Sequence, residues 1–217
     1  MNLPYLSVNM AMTLDGKVSR PDGKWYGLSS RNDKKRMDEI RAISDGLILG
    51  KNSLVNDDPV TRLRYVDQEG EPRPILLVRN GTLPEDRNVF QNSRKKPLLF
   101  CTKRNESLIR SNLSELAEIM VLGDDDIDAK SVMQTLYDLE FKNILLEGGP
   151  RLNDSFFRKN LIRRIYLTIV PFLIGQSNLP SLADGKLAYP SFDNDQWKLV
   201  SCEQQEDEVF LVYDKRI

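Results

Sequence analysis

Short apolar segments alternate with helical patterns along most of this chain. Six of them are rich in Leu, Ile and Val, which is typical of strands buried on both faces: "YLSVNMAM", "DGLILG", "RPILLVRNG", "KPLLFCT", "AEIMVLGD" and "KNILLEGG". Segments with apolar residues at helical spacing lie between several of them, as in "NESLIRSNLSEL" and "DAKSVMQTLYDLEF". This alternation with short links predicts an α/β fold with a mostly parallel central sheet flanked by helices.

The end of the chain departs from this alternation. The long strand candidate "RRIYLTIVPFLIG" is followed by two further strands, near "WKLVSCEQ" and "EVFLVYD", which predict an antiparallel C-terminal edge. The segment from Leu173 to Asp195 is rich in Pro, Gly, Asn and Ser, and we interpret it as a long surface connection. The 217 residues suit one large domain or two small ones. With no repeat or linker in the sequence, we expect a single domain, residues 1–217.

Histidine is absent from the sequence, and this excludes whole mechanisms. A Ser-His-Asp triad and a His-ligated zinc site are both impossible. The two cysteines, Cys101 and Cys202, lie too far apart to suggest a metal site or a disulfide framework. We therefore expect no metal, and proton transfer must fall to Lys, Asp, Glu, Tyr or water.

Charge and hydropathy exclude other classes of protein. The 31 basic and 32 acidic residues give a formal net charge of −1, which does not favour binding to nucleic acid through bulk charge. The N-terminus lacks the charged and apolar regions of a signal peptide, and no apolar run approaches the length of a membrane span. We expect a cytoplasmic protein with no membrane or nucleic-acid partner.

Polar and glycine-rich turns follow four of the predicted strands: "TLDGK", "KNSLVNDDP", "VRNG" and "EGGPRLN". Each alone has an ordinary interpretation, because "LDGK" and "NDDP" are common turns and Gly-Gly often makes a tight turn. Arg41 taken alone is a solvated charge near a helix C-terminus. Ligands of parallel sheets bind beyond the carboxyl ends of the strands, so the four turns together predict a ligand site.

Three blocks of the sequence resemble the pyrimidine reductases of riboflavin biosynthesis: "SVNMAMTLDGKV", "SDGLILGKNSLVNDDPVTRLR" and "NILLEGGPRLNDSFFRKNLIRRIYLTIVPFLIG". The resemblance implies a dihydrofolate-reductase-like fold, a homodimer and NADPH as cofactor. It implies an oxidoreductase that reduces the ribosyl group of a phosphoribosylamino-pyrimidine to ribityl by hydride transfer to C1 of the opened sugar.

The resemblance also implies roles for individual residues. The cofactor-binding set is Ser53, Asp57, Val78, Arg79, Asn80, Gly81, Gly148, Gly149, Pro150 and Arg151. The substrate-binding set is Ser29, Arg41, Thr61 and Arg64, with the two arginines expected on the 5′-phosphate. The catalytic set is Lys17, Asp57 and Glu147, with Lys17 as proton donor to the ring oxygen and the carboxylates on ribose hydroxyls.

Several alternatives stay open. Arg62 is an alternative to Arg64, because "DDPVTRLR" aligns imperfectly with the family pattern. The substrate is either 2,5-diamino-6-ribosylamino-pyrimidinone 5′-phosphate or its deaminated form, 5-amino-6-ribosylamino-uracil 5′-phosphate. The wording "MTLDGK" and "DGLILG" leans towards the first, in which reduction precedes deamination. The rival hypotheses are another NADPH reductase of this fold, with a pterin-like or unknown carbonyl substrate, and a non-catalytic nucleotide-binding module.

Overall fold

A computed structural model of the protein describes residues 2–25, 28–67, 70–189 and 196–216. Its elements, in chain order, are β1 (Tyr5–Thr13), α1 (Arg31–Ala42), β2 (Gly46–Gly50), α2 (Lys51–Asn56), β3 (Arg73–Val78), α3 (Asn88–Gln91), β4 (Leu98–Cys101), α4 (Glu106–Leu113), β5 (Glu118–Val121), α5 (Ala129–Asp138), β6 (Asn143–Leu146), α6 (Pro150–Arg158), β7 (Arg164–Val170), β8 (Trp197–Gln205) and β9 (Glu208–Lys215).

The described strands form a nine-stranded sheet in the order β5-β4-β3-β2-β6-β1-β7-β9-β8. All pairings from β5 across to β7 are parallel. Strand β9 pairs antiparallel with β7, and β8 pairs antiparallel with β9. The predicted mostly parallel sheet with an antiparallel C-terminal edge is confirmed.

Helices cover both faces of the parallel part of the sheet. Consecutive residues of β2 alternate between two apolar clusters, with Ile48 in one and Leu47 and Leu49 in the other. Helices α5 and α6 contribute to the first cluster, and α1, α2 and α4 to the second. Burial on both faces explains why these strands read as continuous apolar runs.

Helix α1 buries a polar surface that its sequence does not suggest. The Ser30 side chain caps the helix by accepting hydrogen bonds from the N–H groups of Asn32 and Asp33. The helix ends at Ala42, and the next residue, Ile43, is 64 % exposed. Besides the apolar Ile40, the helix buries Asp38 and Arg41, and both of these charged residues belong to the site described below.

The expected long surface connection is irregular over residues 173–189, and its residues 190–195 lie outside the described residues. Asp15 accepts hydrogen bonds from the N–H groups of Ile174 and Gly175, at 3.3 and 2.8 Å. Asn153 donates to the Leu182 carbonyl at 2.9 Å. This connection therefore contacts the turn that follows β1 and the helix α6. In the described part of the chain, no helix is long and apolar enough to cross a membrane.

The sheet packs closely at Gly46, and this generates a prediction. A Cβ there would lie 2.5 Å from Ile75 Cδ1 and 2.9 Å from Ile144 Cδ1. We expect Gly46→Ala to lower the free energy of unfolding by about 1–3 kcal/mol through overpacking, and Ile75→Val alone by about 0.5–1.5 kcal/mol through a small cavity. Urea unfolding measures both values.

The double variant Gly46→Ala/Ile75→Val is the decisive comparison, because valine lacks the Cδ1 atom that crowds the new methyl group. We expect its loss of stability to be smaller than the sum of the two single losses by about 1 kcal/mol. Simple additivity would mean that Ile75 is not what constrains this position.

Candidate active site

The turns after β1, β2, β3 and β6 meet at the carboxyl edge of the sheet, because the four strands are parallel. Two backbone hydrogen bonds join the ends of β2 and β6. The Glu147 N–H donates to the Ile48 carbonyl at 3.1 Å, and the Gly50 N–H donates to the Gly148 carbonyl at 2.7 Å. The polar side chains that follow these two strands are therefore held in one region.

Residues 148–151, here called the glycine loop, connect β6 to α6. Gly148 has a φ of +88°, and the Gly148–Gly149 peptide is cis. A Cβ at Gly149 would lie 3.3 Å from Ser53 Oγ, so the glycine leaves the backbone bare beside that hydroxyl. Gly149 is the N-cap of α6, and no side chain caps the N–H groups of the first turn of this helix. Bare backbone at a helix N-terminus suits an anion such as a pyrophosphate, and the exposed Arg151 adds a cation.

The turn of residues 78–81 is held from beneath by two buried side chains that sequence analysis missed. Asn105 donates to the carbonyls of Val78 and Gly81, at 3.0 and 2.8 Å. Thr102 donates to the Arg79 carbonyl at 3.0 Å. Both residues follow β4, and a polar residue at a helix start is the only sequence signal that Asn105 gives. The Lys51 amino group lies above the turn and donates to the Asn80 carbonyl at 2.9 Å.

Arg41 and Glu147 form a buried bidentate ion pair. Arg41 Nε donates to Glu147 Oε1 at 2.8 Å, and Arg41 Nη2 donates to Oε2 at 2.7 Å. Burial by itself would lower the pKa of Arg41, but Glu147 and Asp38 outweigh it, so the pKa lies above its usual range. Arg41 is only 1 % exposed. The expected contact between Arg41 and a substrate phosphate is therefore not supported by this structure, because the guanidinium does not face an open surface.

The same network reaches the loop of residues 60–65. Arg41 Nη1 donates to the Val60 carbonyl at 2.9 Å and lies 3.6 Å from Asp38 Oδ1. Asp38 Oδ2 accepts from the N–H groups of Arg64 and Tyr65, at 2.6 and 2.9 Å. The backbone of this loop is thus linked, through Asp38 and Arg41, to the Glu147 carboxylate at the end of β6. Nothing in the sequence singles out Asp38, because a carboxylate in a charged helix resembles a solvated residue.

The remaining substrate-side candidates differ in accessibility. Thr61 is buried, and its hydroxyl lies 2.8 Å from that of Ser93. Arg62 and Arg64 are exposed, whereas Ser29 is half-buried beside the N-cap of α1. Arg64 combines a backbone fixed by Asp38 with an exposed guanidinium. Of these candidates, the two arginines are the ones available to an anionic ligand.

Lys17 lies in the turn after β1. Its amino group donates to the carbonyls of Ser177 and Leu179 at 3.4 and 3.3 Å, and both contacts are long. In the same turn, the Thr13 hydroxyl and the Gly175 N–H hold the pKa of Asp15 at about 2, so this carboxylate is ionised at neutral pH. Asp15 therefore holds the backbone of this turn in place. The Lys17 amino group has only long hydrogen bonds, and a ligand could replace them.

Asp57 follows α2 and contacts another part of the chain. Its Oδ1 accepts a hydrogen bond from the Trp25 N–H at 3.0 Å. Partial desolvation raises the pKa of Asp57 above its usual range, and nearby Asp22 adds to the shift. Its neighbour Asp58 instead accepts from the Asn88 N–H at 2.7 Å, at the start of α3. The two carboxylates of "NDDP" thus have different partners.

Comparison with known proteins identifies relatives of this chain. The family model described as RibD C-terminal domain matches residues 4–211. The chain is 28 % identical over 191 residues to the 2,5-diamino-6-ribosylamino-4(3H)-pyrimidinone 5′-phosphate reductase of Aquifex aeolicus, covering 86 % of this chain and 85 % of that protein.

Solved structures support the fold. The chain superimposes on RibD of Acinetobacter baumannii with a TM-score of 0.81 at 22 % identity, covering 99 % of this chain and 58 % of that chain. This chain thus spans little more than half of that protein. Dihydrofolate reductase of Enterococcus faecalis, complexed with NADP(H), gives a TM-score of 0.53 at 13 % identity, over 98 % and 97 % of the two chains. The dihydrofolate-reductase-like fold is confirmed.

The buried ion pair generates a second prediction. Arg41→Met leaves Glu147 and Asp38 as uncompensated buried charges, so we expect the free energy of unfolding to fall by about 3–5 kcal/mol. The double variant Arg41→Met/Glu147→Gln removes one of those charges, and we expect it to recover at least about 1 kcal/mol of that loss. Urea unfolding measures both.

Arg110→Met is the matched control, because Arg110 forms an exposed ion pair with Glu106 on α4. We expect this control to change stability by less than about 1 kcal/mol. If Arg41→Met were no more destabilising than Arg110→Met, the network would not have the structural importance that we assign to it.

Proposed function

We propose, from the premise that this chain belongs to the RibD C-terminal domain family, that it is an oxidoreductase of riboflavin biosynthesis. The proposed reaction is the NADPH-dependent reduction of 2,5-diamino-6-ribosylamino-pyrimidinone 5′-phosphate to its ribityl product. The name of the Aquifex aeolicus relative supports this substrate over the deaminated one, in agreement with the sequence motifs.

The observation that carries the proposal is the fixed position of Glu147 beside the glycine loop. Its carboxylate is anchored by Arg41, and the next residue begins a bare backbone at the N-terminus of α6. A carboxylate suits the hydroxyls of a sugar, and a glycine-rich helix N-terminus suits a pyrophosphate. The two ligands would therefore meet where β6 ends.

The residues of this edge fit a nicotinamide dinucleotide. The absence of a Cβ at Gly149 leaves room beside Ser53, and the glycine loop offers backbone N–H groups near the Arg151 cation. The turn of residues 78–81, supported by Asn105, would contact the ribose of the cofactor. When bound, the cofactor supplies the hydride, and the protein supplies position and charge.

Recognition of the substrate phosphate falls to Arg64 in this proposal. Its guanidinium is exposed, whereas its backbone is fixed by Asp38, so the phosphate would be bound by a preorganised loop. Arg41 does not contact the substrate in this proposal; it holds the Glu147 carboxylate in place. Thr61 and Ser29 would line the same region without contacting the phosphate.

The reduction adds one hydride and one proton to the substrate. Opening of the ribosylamine ring breaks the bond between C1 and the ring oxygen, and the ring oxygen gains a proton as the C1–N double bond forms. Lys17 would donate that proton in exchange for its long contacts with Ser177 and Leu179. Addition of hydride at C1 of this protonated imine then gives the ribitylamine, because the nitrogen keeps the proton that it carried in the substrate. Glu147 and Asp57 would hold sugar hydroxyls throughout.

A homodimer is part of the same proposal. Strand β8 lies at the edge of the sheet and exposes Leu199 and Val200. An exposed edge strand presents unpaired backbone groups to which another chain can add, and a second copy of this chain would provide that partner. The cytoplasmic location expected from the sequence stays a prediction.

The reaction is tested by following NADPH absorbance with the purified chain while each of the two pyrimidine substrates is offered in turn. We expect consumption with both and faster turnover of the diamino substrate. Consumption with neither substrate would contradict the proposed function, and faster turnover of the deaminated substrate would contradict the proposed order of reduction and deamination.

The phosphate assignment is tested by Arg64→Ala. Loss of a charge-assisted hydrogen bond amounts to about 1.5–3 kcal/mol, so we expect KM for the pyrimidine to rise about 10- to 100-fold while kcat changes little. Steady-state kinetics at saturating NADPH measure both parameters.

Arg62→Ala is the matched control, since Arg62 is exposed on the same loop. We expect its KM to change by less than about threefold, as for a surface charge without a ligand. A larger rise for Arg62→Ala than for Arg64→Ala would transfer the phosphate contact to Arg62 and make our assignment wrong.

A further inference from the structure

Three exposed cations follow strands β3 and β4, and three consecutive aspartates follow β5. The cations, here called the basic trio, are Arg79, Lys103 and Arg104. The aspartates, here called the aspartate run, are Asp124, Asp125 and Asp126. Each cation pairs with one aspartate: Arg79 with Asp126 at 3.3 Å, Lys103 with Asp124 at 2.7 Å, and Arg104 with Asp125 at 2.5 Å.

Backbone contacts hold the two groups opposite each other. The Lys103 N–H donates to the Gly123 carbonyl at 3.1 Å, and the Arg104 N–H donates to the Asp124 carbonyl at 3.2 Å. Thr102 ties the Arg79 backbone to the end of β4. The loops after β3, β4 and β5 therefore form one connected surface, in which the basic trio and the aspartate run are positioned before any ligand arrives.

The ion pairs themselves are exposed to water. Every side chain in the three pairs is more than half exposed, between 59 % and 75 %. Exposed ion pairs contribute little to stability, because water and salt screen them. The cations can therefore exchange a carboxylate for a stronger anion without disturbing the fold.

The surface lies next to the proposed cofactor site. Neighbouring strands in a sheet are about 4.8 Å apart, and β3 is the second strand from β6. The end of β3 is thus about 10 Å from the glycine loop, along the edge where a dinucleotide would extend. The turn of residues 78–81, which begins this surface, is already part of the proposed cofactor site.

Chemistry suggests which anion would replace the carboxylates. NADPH differs from NADH by a phosphate on the adenosine ribose, and such a group carries a charge of about −1.5 to −2 with three acceptor oxygens. Arginine and lysine bind phosphate through charge-assisted hydrogen bonds. In dinucleotide-binding folds an arginine accommodates this 2′-phosphate, whereas an acidic residue favours the free 2′-hydroxyl of NADH. Here both kinds of residue share one surface.

We propose that the basic trio binds the 2′-phosphate of NADPH and that the aspartate run competes with it as an anion built into the chain. This inference rests on the proposed cofactor site and adds what determines the choice between NADPH and NADH. The run lowers the affinity for NADPH, and it keeps the basic trio paired when no cofactor is bound.

Two sets of variants test the proposal in the full chain. The first neutralises the run with Asp124→Asn, Asp125→Asn and Asp126→Asn together, and the second removes the trio with Arg79→Ala, Lys103→Ala and Arg104→Ala together. Dissociation constants for NADPH and NADH, and for adenosine 2′,5′-bisphosphate and adenosine 5′-monophosphate, are measured by calorimetry at low and high salt.

We expect the asparagine variant to bind NADPH and adenosine 2′,5′-bisphosphate about three- to tenfold more tightly at low salt, with a smaller effect at high salt. The alanine variant should bind both at least about tenfold more weakly. Neither variant should change the affinity for NADH or adenosine 5′-monophosphate by more than about twofold.

Two controls separate this inference from general effects of charge. Lys35→Ala and Glu39→Gln change an exposed ion pair on α1 and should leave all four affinities unchanged. Arg151→Ala alters the glycine loop, so it should weaken NADPH and NADH equally.

The inference is overturned if the asparagine variant binds NADPH no more tightly, or if the alanine variant loses affinity for both nucleotides equally. Either result leaves the proposed reductase function standing. Failure of the wild-type chain to bind either dinucleotide would instead remove the proposed function together with this inference.

Discussion

The buried ion pair between Arg41 and Glu147 is the interaction on which the geometry of the sheet edge depends. A guanidinium with almost no exposure is tolerated only because Glu147 and the Val60 carbonyl accept its hydrogen bonds and the Asp38 carboxylate lies 3.6 Å away as a second negative charge. That requirement joins the C-terminal turn of α1, the end of β6 and the loop of residues 60–65. The carboxylate beside the glycine loop is therefore fixed before a ligand binds, which is the condition that catalysis by positioning needs.

The sequence predicted the sheet but not this network, for a physical reason. Strands buried on both faces must be continuously apolar, so they are visible in the sequence. Asp38 and Arg41 lie in the charged segment "RNDKKRMDEIRA", where nothing distinguishes residues that face the sheet from those that face water. Asn105 is similar, since only its tertiary contacts reveal that it supports the turn of residues 78–81.

Polar residues at this edge divide into two kinds, and the division follows burial. The buried ones, such as Asp38, Thr102 and Asn105, have partners within the chain and support loops. The exposed ones, such as Arg64, are held at the backbone but leave their charges accessible. The buried polar residues fix the loops, and the exposed charged residues on those loops can exchange partners. This arrangement suits two anionic ligands that must meet in one orientation.

The central claim is that this edge directs hydride from a nicotinamide cofactor to C1 of a ribosylamine. The most direct measurement uses NADPH carrying deuterium at C4 of the nicotinamide, prepared as each of the two C4 epimers, with product analysed by mass spectrometry and NMR. We predict that one epimer transfers its deuterium to C1 of the ribityl chain and that the other retains it in the oxidised cofactor. A ribityl product without deuterium from either epimer, or with deuterium at another carbon, would contradict the account.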